Sequence, residues 1–514
     1  MIIENTVETI LTELERFPDD GLTGRRKILT PVPKITKENI SDVLSKALAT
    51  HRQNVVEITY LWDVYRGKQD IRNKVKYERE NINNKVVINR ANEIVTFKTA
   101  YLLNEPVVYV STESQPEDTG KVKQLNDFMH SEDKDSKDKE VVDWMHICGV
   151  AERLCLTDEQ AGVLDGAPYY IYTIDPREAF VIYSSKIGQR PMAGVIIQKD
   201  EENRDVYTVY TEAECFTVSN DTVKVRPHIL GGIPLVEYIN NEARMGAFET
   251  VLSILNSIND LESNALDSIQ DFVNGFDVFQ NCQPEEGTYG KLAIGGQALL
   301  IKNTVPGVEA KVYRVASELS QSGVQQRIDS MTDAYLTICG MPNRNGGSST
   351  SDTGQAVIFR DGWSEAESRA KDTEKLFKRS EKAFLRIVLN ICRVKAGLDM
   401  SLKDIEINFP RKSLNNLQSK LQGLCELLAN DYIHPMDAFN ALGDIFGDKN
   451  AAYMRGKKYH DEQEAKELER LDREMDNERE RIANESVQAQ RQGDSADQQD
   501  SAENGKANES EASS

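Results

Sequence analysis

Residues 340–354 read Gly340-Met341-Pro342-Asn343-Arg344-Asn345-Gly346-Gly347-Ser348-Ser349-Thr350-Ser351-Asp352-Thr353-Gly354. They are turn formers with almost nothing apolar to bury. Pro342 restricts φ and the glycines admit positive φ, so neither helix nor strand is expected. The pattern then changes. Trp363, Ala366, Ala370, Thr373, Phe377, Ser380, Phe384, Ile387, Ile391 and Val394 recur at steps of three and four. That is one apolar stripe on one long helix. Glu365 precedes Arg369, Glu367 precedes Lys371 and Glu374 precedes Lys378, the favourable i, i+4 order. Asp352 with Gln355 reads as a variant capping box, and Gly362 predicts a bend near the start. Some forty residues would make a rod of roughly 60 Å. Such a rod suits a large assembly, and so polar a loop suits contact with something large. The plain alternative is a flexible linker. A phosphate loop fails, because no Lys-Ser or Lys-Thr follows the glycines.

Outward from this stretch, the 514 residues allow about two to four domains. Hydrophobic residues make up 39% and charged residues 28%, an ordinary soluble balance. A formal net charge of −22 argues against a protein that coats DNA generally. No apolar run approaches the ~18 residues of a membrane span, so no membrane partner is expected. The opening Met1-Ile2-Ile3-Glu4-Asn5 does not look like a signal peptide. The 7 cysteines stand singly, without Cys-x-x-Cys, and fit reduced thiols.

Taken in order, Ile3, Val7, Ile10, Leu11 and Leu14 predict a short helix. A Pro/Gly-rich linker through 18–33 follows, with Arg25-Arg26-Lys27 solvated or touching nucleic acid. A helix runs from about Thr36 to Tyr65 and ends at Gly67. Another opens near Asn84 and stops before Pro106, with a strand at Val107–Val110. A helical piece at Val122–Met129 precedes a charge run, Ser131–Glu140, expected as a solvated loop, and a helix over 139–150. The period then becomes two, and Tyr169–Ile174, Phe180–Tyr183, Ala193–Gln198, Val206–Tyr210 and Cys215–Val218 read as an antiparallel meander. Pro234–Tyr238 closes it. A long helix begins near Glu242, a strand-rich insertion occupies 275–316, and a return helix over 317–339 leads into the loop. Two helices alone leave their apolar faces uncovered, so neighbouring copies are expected to cover them. Ile405–Pro410 is a strand, Leu414–Asn430 and Asp437–Phe446 are helices, and an acidic helix begins at Asp461. Past Ser486 the composition predicts disorder. The fold class is α+β, mainly helical.

Catalytic patterns are absent. No His-Glu-x-x-His, zinc-spaced Cys/His or Gly-x-Ser-x-Gly occurs, and Gly290-Lys291-Leu292 lacks the Ser or Thr of a P-loop. Asp260/Glu262 and Asp267/Asp271 read as the solvated face of a charged helix rather than as a metal site. No enzyme activity, metal or cofactor is expected.

Several stretches in this order resemble the portal proteins of tailed bacteriophages, of the siphophage type of Gram-positive hosts. They are Asp63–Lys68, Asn84–Val107, Pro234–Arg244, Glu249–Leu266, and Pro342 with Asn343 followed by Ser351–Ala356. The resemblance covers about residues 50–450. It implies a ring, a dodecamer, at one capsid vertex of the virion, assembled in the host cytoplasm, through which double-stranded DNA is packaged and ejected. It implies as partners the terminase large subunit, a head–tail adaptor, and major capsid and scaffolding proteins. It assigns 36–241 and 356–412 to a wing, 242–274 and 317–339 to a stem, 275–316 to a clip, 340–355 to a tunnel loop and 413–485 to a crown. Its DNA contacts would be Asn343, Arg344, Asn345, Ser348, Ser349 and Thr350. The rival reading is a helical scaffold or adaptor that never meets DNA.

Overall fold

The computed structural model describes residues 24–77, 80–112, 116–162, 166–219, 222–273, 276–284, 301–304, 307–309, 311–315, 321–343, 362–410, 417–429, 433–441 and 449–507. The chain divides into two compact units, Met1–Lys420 and Leu421–Ser514. The helix expected at residues 3–16 lies outside the described residues.

The first unit begins with β1 (Ile28–Thr30), α1 (Ile40–Tyr65), α2 (Arg90–Leu102), β2 (Val108–Ser111), α3 (Pro116–Ser131) and α4 (Lys134–Cys148). Strands follow: β3 (Val150–Leu156), β4 (Tyr170–Ile174), β5 (Ala179–Ser184), β6 (Pro191–Lys199), β7 (Asp205–Tyr210), β8 (Glu214–Ser219), β9 (Thr222–Pro227) and β10 (Leu235–Ile239). Then come α5 (Leu252–Val273), β11 (Phe276–Gln280), β12 (Cys282–Pro284), β13 (Ile301–Asn303), β14 (Lys311–Val315), α6 (Gln321–Cys339), α7 (Trp363–Ala396) and β15 (Ile405–Asn408).

The meander forms as the alternation predicts, in the order β1-β5-β6-β7-β8-β9, antiparallel except for parallel β1. Its membership differs from the sequence reading. Tyr170–Ile174 and Leu235–Ile239 leave it and flank β3 in a separate sheet, β10-β3-β4. Strand β3 was not expected, because Val150–Leu156 is buried on both faces and lacks alternation. The strand after α7 pairs with β2, Ile405 opposite Ser111. The insertion is strand-rich as expected, with β11 on β14 and β12 on β13.

Among the described residues three cores hold this unit. Amphipathic α1 lays Ile40, Val43, Leu44 and Ala47 against Phe180, Ile182, Val195 and Phe216 of the meander. Its second half, Ile58, Leu61 and Val64, joins Ala91, Ile94 and Val95 of α2, Leu255 and Ile258 of α5, and Ile328, Tyr335 and Leu336 of α6. The hairpin helices therefore do not wait for another copy to cover them: the halves near α1 and α2 are buried in their own subunit. Leu266, Ile269 and Ile338 stay exposed. Under the third core runs α7, whose Phe377, Phe384, Ile387 and Ile391 follow the expected stripe. From Phe384 to Cys392 the burial widens to include Leu385, Val388 and Leu389, so this end is packed nearly all round.

The second unit carries α9 (Pro435–Ala441) and α10 (Lys449–Ala507), following α8 (Leu417–Leu428), which crosses the boundary between the two units. The long helix continues to Ala507, where disorder was expected past Ser486. No proline interrupts 486–507, where nine residues are Ala or Gln and nine are Ser, Asp, Asn or Gly.

Candidate functional site

Of the residues expected to touch DNA, Asn343 is described. Arg344, Asn345, Ser348, Ser349 and Thr350 lie outside the described residues, as do Asp352 and Gln355. Asn343 donates from Nδ2 to Asp333 Oδ1 on α6 at 2.8 Å. The residues that flank 344–361 on either side, its two roots, are defined. Helix α6 closes on Gly340 at φ +65°, with Gly340 N–H bonded to Thr337 O and Met341 N–H to Leu336 O at 3.1 and 2.8 Å. This paired closure needs a residue with positive φ, and Met341 follows it into the core. The second root is Gly362 at φ +83°, the N-cap of α7. No α-helix runs through that conformation, so Gly362 starts the described helix; the residues before it, on which the expected bend depends, lie outside the described ones. It also stands close to the first root: a Cβ built on Gly362 would lie 3.7 Å from Pro342 Cα. The chain thus leaves and returns at one point.

The second root is pinned to α2. Trp363 packs against Phe97 and Tyr101, each with ring centroids 6.1 Å away. Between them lies a cleft of about 20 Å³, room for one water, lined by Phe97, Lys98, Tyr101, His146, Gly340 and Arg369. Burial lowers the Lys98 pKa, and Arg369 adds to that effect. His146 is held neutral in the wall. Burial, helped by Lys98, pushes it down to about 3, and its Nδ1 lies 3.1 Å from Thr99 Oγ1.

The helix hairpin is mounted by a polar ladder. Asn259, Ser263 and Asp267 stand four residues apart on α5 and are all buried. Their side-chain oxygens accept the backbone N–H groups of Ile88, Val86 and Asn84 at 2.9, 2.9 and 2.7 Å. Four helical residues rise about 6 Å and two extended residues span about 6.6 Å, so the two periods match. This is why the helix expected from Asn84 begins at Arg90. The preceding residues are extended, and Asn89 caps α2 by accepting from Asn92 N–H. Asp267, expected on a solvated face, also pairs with Lys74 at 2.9 Å and Lys76 at 3.6 Å. Burial alone would raise its carboxyl. The Asn84 amide, Lys74 and the Asn84 side chain outweigh that and hold it below the usual carboxylate value.

The root of α5 is tied down by Arg25. The sequence reading placed Arg25-Arg26-Lys27 in a solvated linker or on nucleic acid. Instead Arg25 is buried, with Nε 2.8 Å from Glu57 Oε2 and NH1 2.9 Å from Glu249 Oε1 and 3.0 Å from Cys148 O. Arg26 adds a second cation to Glu57. Helix α5 consequently starts at Leu252, after a tight turn at Glu249–Val251, and not near Glu242.

Beneath α7 lies a buried ionic cluster. Lys134 Nζ is 2.6 Å from Asp138 Oδ2 and 3.1 Å from Glu381 Oε1. Arg153 reaches Glu381 Oε2 at 3.2 Å and also pairs with Asp138. Tyr238 donates to Glu381 Oε2 at 2.6 Å, and Tyr109 donates to Oε1. Burial pushes Glu381 up, but Lys134, Arg153 and the two hydroxyls overcome it and hold the carboxyl low. Two cations face two anions, with both Glu381 oxygens occupied. The charge run Ser131–Glu140 is therefore largely helical, and it sends Lys134 and Asp138 into the core while Asp135, Ser136, Lys139 and Glu140 stay exposed. Its one sequence signal is the i, i+4 pair Lys134/Asp138 just before Val141, Val142 and Met145.

The match to the family of phage portal proteins described as SPP1 Gp6-like extends over residues 44–435, about three quarters of the chain. The chain belongs to that portal protein family. Among solved structures it is similar to one described as the neck of an empty GTA particle computed with C6 symmetry. The identity is 9%, over 68% of this chain and 89% of that one, with a TM-score of 0.37. No curated protein matches the chain. Portal proteins form a structural family, and no helix among the described residues is long and apolar enough to cross a membrane.

Proposed function

We propose that this portal protein assembles as a ring, a dodecamer, at one capsid vertex and conducts double-stranded DNA during packaging and ejection. The observation that carries the reading is the rooted loop. A segment rich in Gly, Asn and Ser leaves and re-enters between two helix ends, the second of them fixed on α2. In this reading α1–α4, β2–β10, α7 and β15 are the wing, α5 and α6 the stem, and β11–β14 the clip. Residues 340–355 form the tunnel loop, and α8–α10 belong to the crown. The clip docks the terminase large subunit and later the head–tail adaptor, while capsid and scaffolding proteins meet the outer face.

Within residues 340–355, Arg344 is the one cation, flanked by Asn343, Asn345, Ser348, Ser349 and Thr350; Arg360 follows before the second root. Short polar groups touch phosphates without reading bases. One guanidinium per subunit in an acidic ring gives a sparse belt, weakened further by salt. Dense phosphate neutralisation would hold the duplex fast, whereas DNA must slide. Negative-stain images should show rings with a central hole. Arg344→Ala should leave rings intact and lower packaged or retained DNA. Mutant rings that package and hold full-length DNA as well as wild type would remove the contact from Arg344.

A further inference from the structure

Strand β3 carries two adjacent buried ionisable residues, Glu152 and Arg153. Alternation along a strand sends them to opposite faces. Arg153 enters the cluster beneath α7, and Glu152 faces a different set of groups. Its register partner on β10 is Glu237. Directly opposed residues of an antiparallel pair hold their Cβ atoms about 4.5–5.5 Å apart on one face. Two carboxyl groups are therefore neighbours inside the protein.

One close counter-ion serves both. Arg244, in the turn before α5, forks onto Glu237, with NH1 2.6 Å from Oε2 and NH2 on Oε1. Tyr183 of β5 donates to Glu237 Oε2 at 2.7 Å. Glu152 Oε2, by contrast, has no hydrogen-bond partner among the described residues. The remaining ionisable groups around the pair are already engaged. Lys27 lies over the Tyr183 ring at 4.2 Å. Arg379 of α7 pairs with Glu242 at 2.7 Å, both exposed. Beyond β4, Asp175 accepts from Arg177 Nε at 2.9 Å.

We propose that Glu152 carries a proton at neutral pH, so that the glutamate pair holds one negative charge, and that this proton latches the central sheet to the turn launching α5. An ionised carboxylate here would lack both water and a cation of its own, the condition under which a buried acid stays neutral. Burial pushes the Glu152 carboxyl far up and Glu237 pushes it further, while Arg244 opposes them. Loss of the proton makes Glu152 compete with Glu237 for Arg244. The backbone oxygen of Arg244 accepts the Arg25 N–H at 3.0 Å, so the disturbance reaches the chain segment that ties the α5 root.

The sign is definite. The folded chain keeps a proton that the unfolded chain releases above about pH 4.3, so this site weakens the fold as pH rises from there. Glu152→Gln keeps the neutral shape and cannot ionise. Comparing full-length wild type and variant from about pH 5 to about pH 9, the difference in Tm should widen steadily in the variant's favour. Hydrogen exchange at Arg244 and Ala247, corrected for intrinsic rate, should accelerate at alkaline pH more in wild type than in the variant. A constant Tm difference with parallel exchange curves overturns the proposal. Should Glu152→Gln fail to fold, the infrared spectrum of wild type decides. A protonated-carboxyl band at neutral pH supports the latch, and its absence overturns it.

Discussion

At the scale of single residues, the chain spends buried charge on fixing geometry. Glu381 sits on the face of α7 that also carries Phe377 and Phe384, and it receives Lys134, Arg153, Tyr109 and Tyr238. Removing one member of such a cluster leaves the others uncompensated. Glu381→Ala should cost about 3–5 kcal/mol in denaturant unfolding, because two cations are left to share Asp138 alone in a dry site. Arg25→Ala should cost a similar amount, since Glu57 keeps Arg26 but Glu249 keeps no other cation among the described residues. The buried histidines add a pH term of opposite sign to that of Glu152. Burial holds His51 at about 4, against the hydrogen bond to Arg177 O, and His146 at about 3. Both folded values lie below the unfolded value near 6.5, so unfolding takes up protons in acid. Their contribution is complete above about pH 6.5 and is lost as pH falls through 6 and 5, at roughly 1.4 kcal/mol per pH unit for each. Urea titrations at about pH 7, 6 and 5 measure that slope, and His146→Gln should flatten it.

At the scale of elements, the decisive pieces are the ladder on α5 and the paired roots of the loop. Ser263→Ala removes the acceptor of the Val86 N–H and should cost about 1–2 kcal/mol, with faster hydrogen exchange at Val86. Asp267→Asn also removes the charge that engages Lys74 and Lys76, and should cost about 2–3 kcal/mol. A ladder that carries no load would leave exchange across 84–88 unchanged in both variants. None of the three rungs was legible in the sequence. An Asn, a Ser and an Asp at four-residue spacing look the same whether they meet water or an extended neighbour. The cap at Gly67 was legible. Lys68 N–H bonds to Asp63 O and Gly67 N–H to Val64 O, a closure written in local sequence. Gly362 was legible as a special position but not as a helix start, because that depends on Pro342 lying against it.

At the scale of the whole molecule, the exposed apolar residues left on the hairpin are few. Leu266, Ile269 and Ile338 are exposed, while the rest of its described apolar face is largely covered by α1 and α2. An isolated subunit should therefore unfold cooperatively, with Leu266→Ser and Ile269→Ser weakening ring assembly more than they weaken the fold. Sedimentation velocity beside thermal unfolding separates the two effects. Helix α10 supports itself largely through exposed pairs such as Arg470–Glu474, Arg473–Glu469 and Arg481–Glu485, each at 3.5 Å. Each such pair contributes about 0.3–0.5 kcal/mol. Beyond Glu485 the sequence holds one apolar side chain larger than alanine, Val487. Truncation after Glu485 should leave ring formation intact, checked by electron microscopy.

By itself the sequence determined the alternation of helix and strand, the α7 stripe, the meander and the strand-rich insertion. These follow from periods of 3.6 and 2 and from turn chemistry, all of which act between near neighbours. Only the tertiary structure decided which strands share a sheet, where α5 begins, and what becomes of Arg25, Lys134, Asp138 and Asp267. The physical reason is that a charge carries no local mark of burial. Arg25 meets Glu249 across 224 residues, and Arg153 meets Glu381 across 228. A solvated face and a buried ionic cluster are written with the same letters, and they differ only in what the rest of the chain brings to them.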